Sequence, residues 1–487
     1  MKRSKFSLSH YNLFSADMGE LIPIGLTEVL PGDTIQHSTS MLLRVSPLLA
    51  PVMHPVHARI HHWFVPNRLV WDDWESFITG GEDGMDASDF PTITFGGGTG
   101  AAVGSLADYL GVPPLVNNIQ VSALPFRGYS LIWNEWYRDQ DLQTKLVIDK
   151  TSGADTTTNT ALQKVAWEKD YFTSARPWTQ KGPEITVPFA DNAPVAFDAA
   201  AGTRIGVFST IANAGRTISA NAGDSNIVQL GASAESDLLY ADLSSASAVT
   251  INQLREAFAL QRYEENRARY GSRYTEYLAF LGVRSSDARL QRPEYLGGGK
   301  QVIQFSEVLQ TAPESGDGVG NLLGHGIGAL RSNRYRKFFE EHGYVYSFLS
   351  VKPKTMYVQG LHRTWNRRTK EDFFQKELQH IGQQEILNKE LYAAGAQPDG
   401  VFGYQDRYDE YRRMESGVRG DFRTTSLDFW HYARIFSSAP ALNSSFITSE
   451  PTKRVNQVQS KDVLWVMANH SIQARRMVAS SGSSFIK

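Results

Sequence analysis

Hydrophobic and polar positions sort this chain into β-prone runs at both ends, with helix-prone stretches between them. Leu30-Pro31-Gly32-Asp33 reads as a tight turn, Pro presetting one φ and Gly supplying a positive one. Strands over residues 34–45 and 56–65 follow, the second ending at Pro66. From 68 to 78, Leu69, Trp71, Trp74 and Phe77 recur at roughly helical spacing, and Gly80-Gly81 stops the run. Residues 80–104 are rich in Gly and Asp and read as an exposed loop. Residues 126–143 predict a helix, although apolar side chains surround it on several sides. The 250–270 stretch has the clearest helical pattern. Thr250-Ile251-Asn252-Gln253 fits a capping box, Ile251, Leu254, Ala257 and Phe258 share a face, and Gly271 is a natural stop. A second helix is expected over 273–281, a loop over 293–300, strands over 301–310 and 343–359, a helix over 371–391 and a last strand over 462–478. Strands at both ends with mixed insertions favour a β-sandwich over an alternating parallel sheet.

The 487 residues would ordinarily make two or three domains, yet one β-sandwich with long insertions also reaches that length. A hydrophobic share of 41% and an aromatic share of 11% sustain a large core and exclude global disorder. The net charge of -2 means that any nucleic-acid contact must come from local patches or a separate basic partner. The absence of cysteine removes disulfides, thiolate nucleophiles and Cys-based zinc sites. The N-terminal stretch lacks the pattern of a signal peptide, and no apolar run reaches spanning length, so no membrane insertion is expected. From 191 to 249 roughly half the residues are Ala, Gly, Ser or Thr, and Lys is absent. Scattered β-branched residues there favour an ordered, loop-rich insertion over a flexible linker.

Enzyme motifs are absent: there is no G-x-S-x-G, H-E-x-x-H or P-loop, so no catalytic, cofactor or metal residue is assigned. His54, His57, His61 and His62 crowd one strand, with His57 and His61 on one face and His62 on the other. Without an acidic partner in the segment, packing and hydrogen bonding at a subunit contact outweigh a metal site. Asp83, Asp86 and Asp89 read as a solvated loop. Arg363, Trp365, Arg367, Arg368 and Lys370 combine cations with a ring, which suits single-stranded nucleic acid; the same composition also serves a salt-bridged surface. Arg331, Arg334, Arg336 and Lys337 form a second basic cluster, and Lys2, Arg3 and Lys5 a third. Tyr404, Tyr408 and Tyr411 share a face at helical spacing, favouring subunit packing, with nearby Arg bridging to Asp406, Asp409 or Glu410. Residues 126–139 pack five rings among charged and amide groups. Trp133, Trp136 and Tyr137 there suit a surface that becomes buried against other copies.

That last stretch, Phe126-Arg127-Gly128-Tyr129-Ser130-Leu131-Ile132-Trp133-Asn134-Glu135-Trp136-Tyr137-Arg138-Asp139, closely resembles a signature of microvirus major capsid proteins. The likeness extends in order through Glu28-Val29-Leu30-Pro31-Gly32-Asp33, Trp63-Phe64-Val65-Pro66-Asn67-Arg68-Leu69-Val70-Trp71, and Pro177-Trp178-Thr179-Gln180-Lys181-Gly182-Pro183. It continues through Asp287-Ala288-Arg289-Leu290-Gln291-Arg292-Pro293-Glu294-Tyr295-Leu296-Gly297-Gly298, Phe402-Gly403-Tyr404-Gln405-Asp406-Arg407-Tyr408 and Leu427-Asp428-Phe429-Trp430-His431. The gokushovirus branch is the nearest in pattern.

The resemblance implies a mainly β fold. It would be a viral jelly-roll β-sandwich of eight antiparallel strands in two four-stranded sheets, with long insertions containing helices, as one capsid domain over 1–487. It implies a structural protein that assembles in the host bacterial cytoplasm into the T=1 icosahedral shell of a virion enclosing single-stranded DNA. Its implied partners are identical subunits, the genome, a small basic DNA-associated protein, a scaffolding protein and, through a surface protrusion at 191–249, a host cell-surface receptor. The alternative reading is a carbohydrate-binding or carbohydrate-active β-sandwich, in which Trp and Tyr stack on sugar rings.

Overall fold

The computed structural model describes residues 3–185, 195–197, 207–208, 215–216, 239–241, 251–271, 273–311 and 319–479. Ten strands build one antiparallel sheet: β1 Ser4–Ser7, β2 His10–Ala16, β3 Ile22–Val29, β4 Thr34–Leu48, β5 Val56–Pro66, β6 Glu294–Leu309, β7 Leu322–Arg331, β8 Tyr335–Phe338, β9 Gly343–Pro353 and β10 Leu464–Arg476. Their hydrogen-bonded order is β1-β10-β4-β7-β6-β5-β9-β3, with β8 paired to β4 and β2 to β10. The long β6 joins the two halves. Its residues 294–303 pair with β5 and its residues 304–309 with β7.

The sheet curls until its ends meet. Asn12 of β2 donates from Nδ2 to the Ile24 carbonyl of β3 at 2.8 Å, and His470 of β10 shares a 2.8 Å hydrogen bond with the same oxygen. A Cβ on Gly25 would sit 2.8 Å from the His470 ring, so only glycine lets the two halves approach here. Ile24, Leu43, Ile60, Leu349 and Val466, drawn from both halves, bury together in one core. Period-two alternation produces this: along β10, Leu464, Val466 and Ala468 point inward while Trp465 and Met467 point out. The expected mainly β, antiparallel jelly-roll architecture with helical insertions is what the chain adopts; continuous pairing through β6 replaces two separate four-stranded sheets.

Among the described residues, one half of the sheet has its outer face covered by a helix. Trp63, Val65, Tyr346 and Phe348 of β5 and β9 pack under α1, Leu124–Ile132, through Phe126, Tyr129 and Ile132. Gly128 makes this contact close, because a Cβ there would lie 2.0 Å from the Tyr346 hydroxyl. A π-helical turn, Trp133–Tyr137, continues α1, and the register change explains apolar residues on every side of this segment. A separate apolar cluster gathers Tyr171, Phe172, Tyr357, Ile386, Phe402 and Phe446.

Several local expectations change. The glycine-rich 293–300 segment lies in β6 rather than in a loop. Glycine is needed because a Cβ on Gly298 would lie 2.1 Å from the Ile60 carbonyl oxygen and one on Gly299 2.6 Å from that of Arg331. The expected 371–391 helix is instead two 3-10 turns, a strand Gln383–Leu387 paired with Val401–Asp406, and a short helix Asn388–Leu391; Gly382, at φ 96°, interrupts it. Within the expected 80–104 loop, Thr92–Phe95 pairs with Ile119–Ser122. The helices α2, Ile251–Tyr270, and α3, Tyr274–Phe280, form as expected, and Gly271 takes φ 92° after the first.

The chain divides into two compact units, 1–179 with 268–487, and 180–267. The candidate protrusion at 191–249 lies outside the described residues, apart from two short strand pairs, Val195–Phe197 with Leu239–Ala241 and Val207–Phe208 with Gly215–Arg216.

Candidate nucleic-acid and subunit-contact surfaces

Much of the aromatic signature packs within the subunit. Trp133 is 5% exposed and donates from Nε1 to the Lys164 carbonyl at 3.1 Å. The Tyr137 hydroxyl meets His61 Nδ1 at 2.8 Å and accepts from Trp63 Nε1 at 3.2 Å. Trp136, half-buried, stacks near Trp63, donates to the Pro293 carbonyl and carries the Arg292 guanidinium 4.3 Å above its ring. Trp133 therefore packs in the core of its own chain, and Tyr137 packs partly buried beside it. The π-turn brings the Tyr137 hydroxyl to His61 and Trp63 of β5.

Tyr404, Tyr408 and Tyr411 do not share a helix face. Tyr404 lies in the strand Val401–Asp406, Tyr408 is buried at φ 64°, and Tyr411 sits in a 3-10 turn, half exposed under Arg367 at 4.4 Å. The expected arginine bridges do form: Arg413 to Asp409 at 2.7 Å, and Arg412 to Asp406 and Asp409 at 3.7 Å.

The 363–370 cluster splits by electrostatics. Arg363 pairs with Glu390 at 2.9 Å and Glu410 at 3.8 Å, and Arg367 reaches Glu410 at 3.6 Å. These guanidiniums are already neutralised by buried carboxylates. Trp365, 71% exposed, and the exposed Arg368 and Lys370 remain at the surface. Trp365 and Arg363 border a cavity of about 550 Å³ with Arg413, Arg419, Glu410 and Glu415. Burial, with Asp170 nearby, pushes the Glu415 carboxyl up to about 7.

The clustered histidines go to separate partners. His62 is fully buried between Ser347 Oγ at 2.8 Å and Ser332 Oγ at 3.2 Å, while His54 meets the Lys354 carbonyl at 2.7 Å. Among the described residues no group of three His, Asp or Glu is placed to hold a metal ion. Across the core from His62, His37 and His470 share a 3.2 Å hydrogen bond. Burial pushes His37 down to about 2, His62 to about 3 and His470 to about 4, so all three are neutral at pH 7.

One surface was visible in the sequence only as separate basic clusters. The described residues leave the outer face of β1-β10-β4-β7, with β2 and β8, uncovered, and its six strands contain no Asp or Glu. Lys5 stands opposite Arg475, Arg44 opposite Trp465, Arg331 opposite Ser40 and Arg336 opposite Gln36. Arg3 lies 5.4 Å from the Phe338 ring centre. Among the described residues none of these six cations forms an ion pair, and Tyr11, Leu13, Phe338 and Trp465 stand exposed among them. The available signal was compositional: strands rich in Arg and free of carboxylates. Pairing register turns it into one face by joining the N-terminal and 331–337 clusters.

Comparison with known proteins agrees with this architecture. Residues 1–485 match the family described as capsid protein (F protein). The chain is 41% identical to capsid protein VP1 of Bdellovibrio phage phiMH2K, 35% to that of Chlamydia phage 1 and 33% to that of Spiroplasma virus 4. Each alignment covers 92% of this chain and 88–89% of the relative. A phage shell subunit needs a rigid sheet, a surface for its neighbours and no reaction centre; the chain belongs to the capsid protein (F protein) family, a component of the virion capsid and not an enzyme.

Proposed function

We propose that this capsid subunit closes a T=1 shell around single-stranded DNA and lays the uncovered sheet face against the genome. The observation that carries the reading is the carboxylate-free face itself. Six unpaired cations interleaved with exposed rings fit phosphates and stacked bases together. Trp365, Arg368 and Lys370 form a second, smaller contact of the same chemistry. A small basic DNA-associated protein would supply the remaining neutralisation that a chain of net charge -2 lacks.

Neighbouring copies meet through apolar side chains that the single subunit leaves exposed away from that face, including Tyr274, Tyr277, Phe280 and Leu281 on and after α3. Modest contacts of this kind become collectively strong once the shell closes, and a scaffolding protein would hold subunits in place until then. The 191–249 insertion is the candidate surface protrusion for a host receptor; deleting it should spare assembly and abolish adsorption.

The test is charge reversal on the sheet face. Particles carrying Arg44→Glu and Arg475→Glu should assemble but contain less DNA, and full packaging would refute the assignment. A carbohydrate-binding β-sandwich would instead show saturable glycan binding by the single chain.

A further inference from the structure

A cavity of about 320 Å³ lies on the other side of the sandwich, between the outer faces of β5 and β9, the π-turn and residues 165–176. Six cationic side chains line it, Arg59, Arg138, Lys169, Arg176, Arg273 and Lys352, against two acids, Asp139 and Glu276. Some of this charge is internally matched. Lys169 pairs with Asp139 at 2.5 Å, Arg176 bridges Asp139 and Asp141 at 3.3 Å, and Arg59 meets Glu168 at 2.6 Å. Arg273 caps the π-turn, donating to the carbonyls of Asn134, Glu135 and Arg138.

The rest is not matched by carboxylates. Lys352 is held by the Ala166 carbonyl at 2.6 Å, and Arg138 by those of Gln140 and Gln143. Arg59 Nε and Arg138 Nε are buried without a hydrogen-bond partner. Burying like charges side by side is costly unless something negative joins them. Desolvation and the neighbouring Arg59, Lys300 and Lys169 push the Lys352 ammonium down to about 8, against the opposing pull of Glu168.

We propose that this cavity is a binding site for a phosphate group, free or carried on a nucleotide, held by Lys352, Arg59 and Arg138. Trp136, Tyr137 and Trp167 on its wall would flank an attached base. The site is separate from the genome face and does not depend on that assignment.

The test is thermal unfolding of the unassembled subunit at constant ionic strength, in chloride, in inorganic phosphate, and with a short deoxyoligonucleotide lacking terminal phosphates. The expected result is a rise in unfolding temperature of about 2 °C or more with phosphate or with the oligonucleotide. The rise should be lost in Lys352→Met, a variant of similar volume that should be no less stable than the parent in chloride. A rise with phosphate identifies a free anion, and a rise with the oligonucleotide alone identifies a strand phosphodiester. No rise with either probe, or an equal rise in the variant, overturns the site. The parent protein alone also tests it. The shift should shrink above about pH 8 as Lys352 loses its proton, and a shift unchanged by this titration would contradict its role.

Discussion

Arg127 donates from Nε to Asp155 Oδ2 at 2.8 Å, and neither side chain has any exposed surface. Nη1 and Nη2 of the guanidinium each donate one further hydrogen bond, to the Val70 and Thr151 carbonyls, while Asp155 also accepts from Thr157 and Thr158. This pair pins α1 to the loop that follows it, in the middle of the aromatic signature. Breaking one side strands the other charge in the core, so Arg127→Leu should cost about 3–5 kcal/mol. Denaturant unfolding of the subunit measures this. Arg127→Leu combined with Asp155→Leu should recover part of the loss.

Acid should loosen the sandwich. His37, His62 and His470 have folded pKa values of about 2, 3 and 4, below the ordinary 6.5. Above pH 6.5 both folded and unfolded chains hold these rings neutral. As pH falls from there towards 4, the unfolded chain binds protons that the folded one refuses, and stability is lost. At pH 5 this amounts to about 2 kcal/mol for a single ring. Unfolding midpoints at pH 7 and pH 5 check it; His62→Gln should flatten the dependence, and an unchanged midpoint in the parent would count against the buried cluster.

Glu415 should act in the opposite sense. Its folded pKa of about 7 lies above the ordinary 4.5, so its neutral form is favoured inside and stability is lost as pH rises from 4.5 through 7. Glu415→Gln preserves an acceptor for the Tyr171 amide. It should stabilise the subunit at pH 8 by about 1 kcal/mol after allowance for solvent screening, and should do nothing at pH 4. Equal effects at both pH values would show that the carboxyl is not strained.

Binding of single-stranded DNA by the subunit should be steeply salt-dependent. With six cations engaged, log K should fall with log salt at a slope of about -4. Arg44→Gln should reduce that slope by about 0.7 and weaken all sequences alike. Trp465→Ala should weaken binding by about 1–3 kcal/mol with the slope unchanged, since a stacked ring carries no charge.

Much of the fold was legible. The turn at Gly32, the strands β4 and β5, α3 and the closing strand all follow from local pattern, because each is a continuous run with its own start or stop signal. What local pattern could not supply was distance. Gly297-Gly298-Gly299 reads as a loop until Ile60 and Arg331 are seen crowding against it. The packing of Tyr137 within its own chain was not legible, because its partners His61 and Trp63 lie on β5, some 70 residues earlier. The carboxylate-free face was legible only as separate basic clusters for the same reason. Lys5 and Arg475 stand at opposite ends of the sequence and become neighbours only through pairing register.

Cryo-electron microscopy of purified particles tests the central claim most directly. The account predicts a closed icosahedral shell in which Lys5, Arg44, Arg331 and Arg475 face the interior with nucleic-acid density against them. A shell that turns this face to solvent, or a chain that remains solitary under assembly conditions, would contradict it.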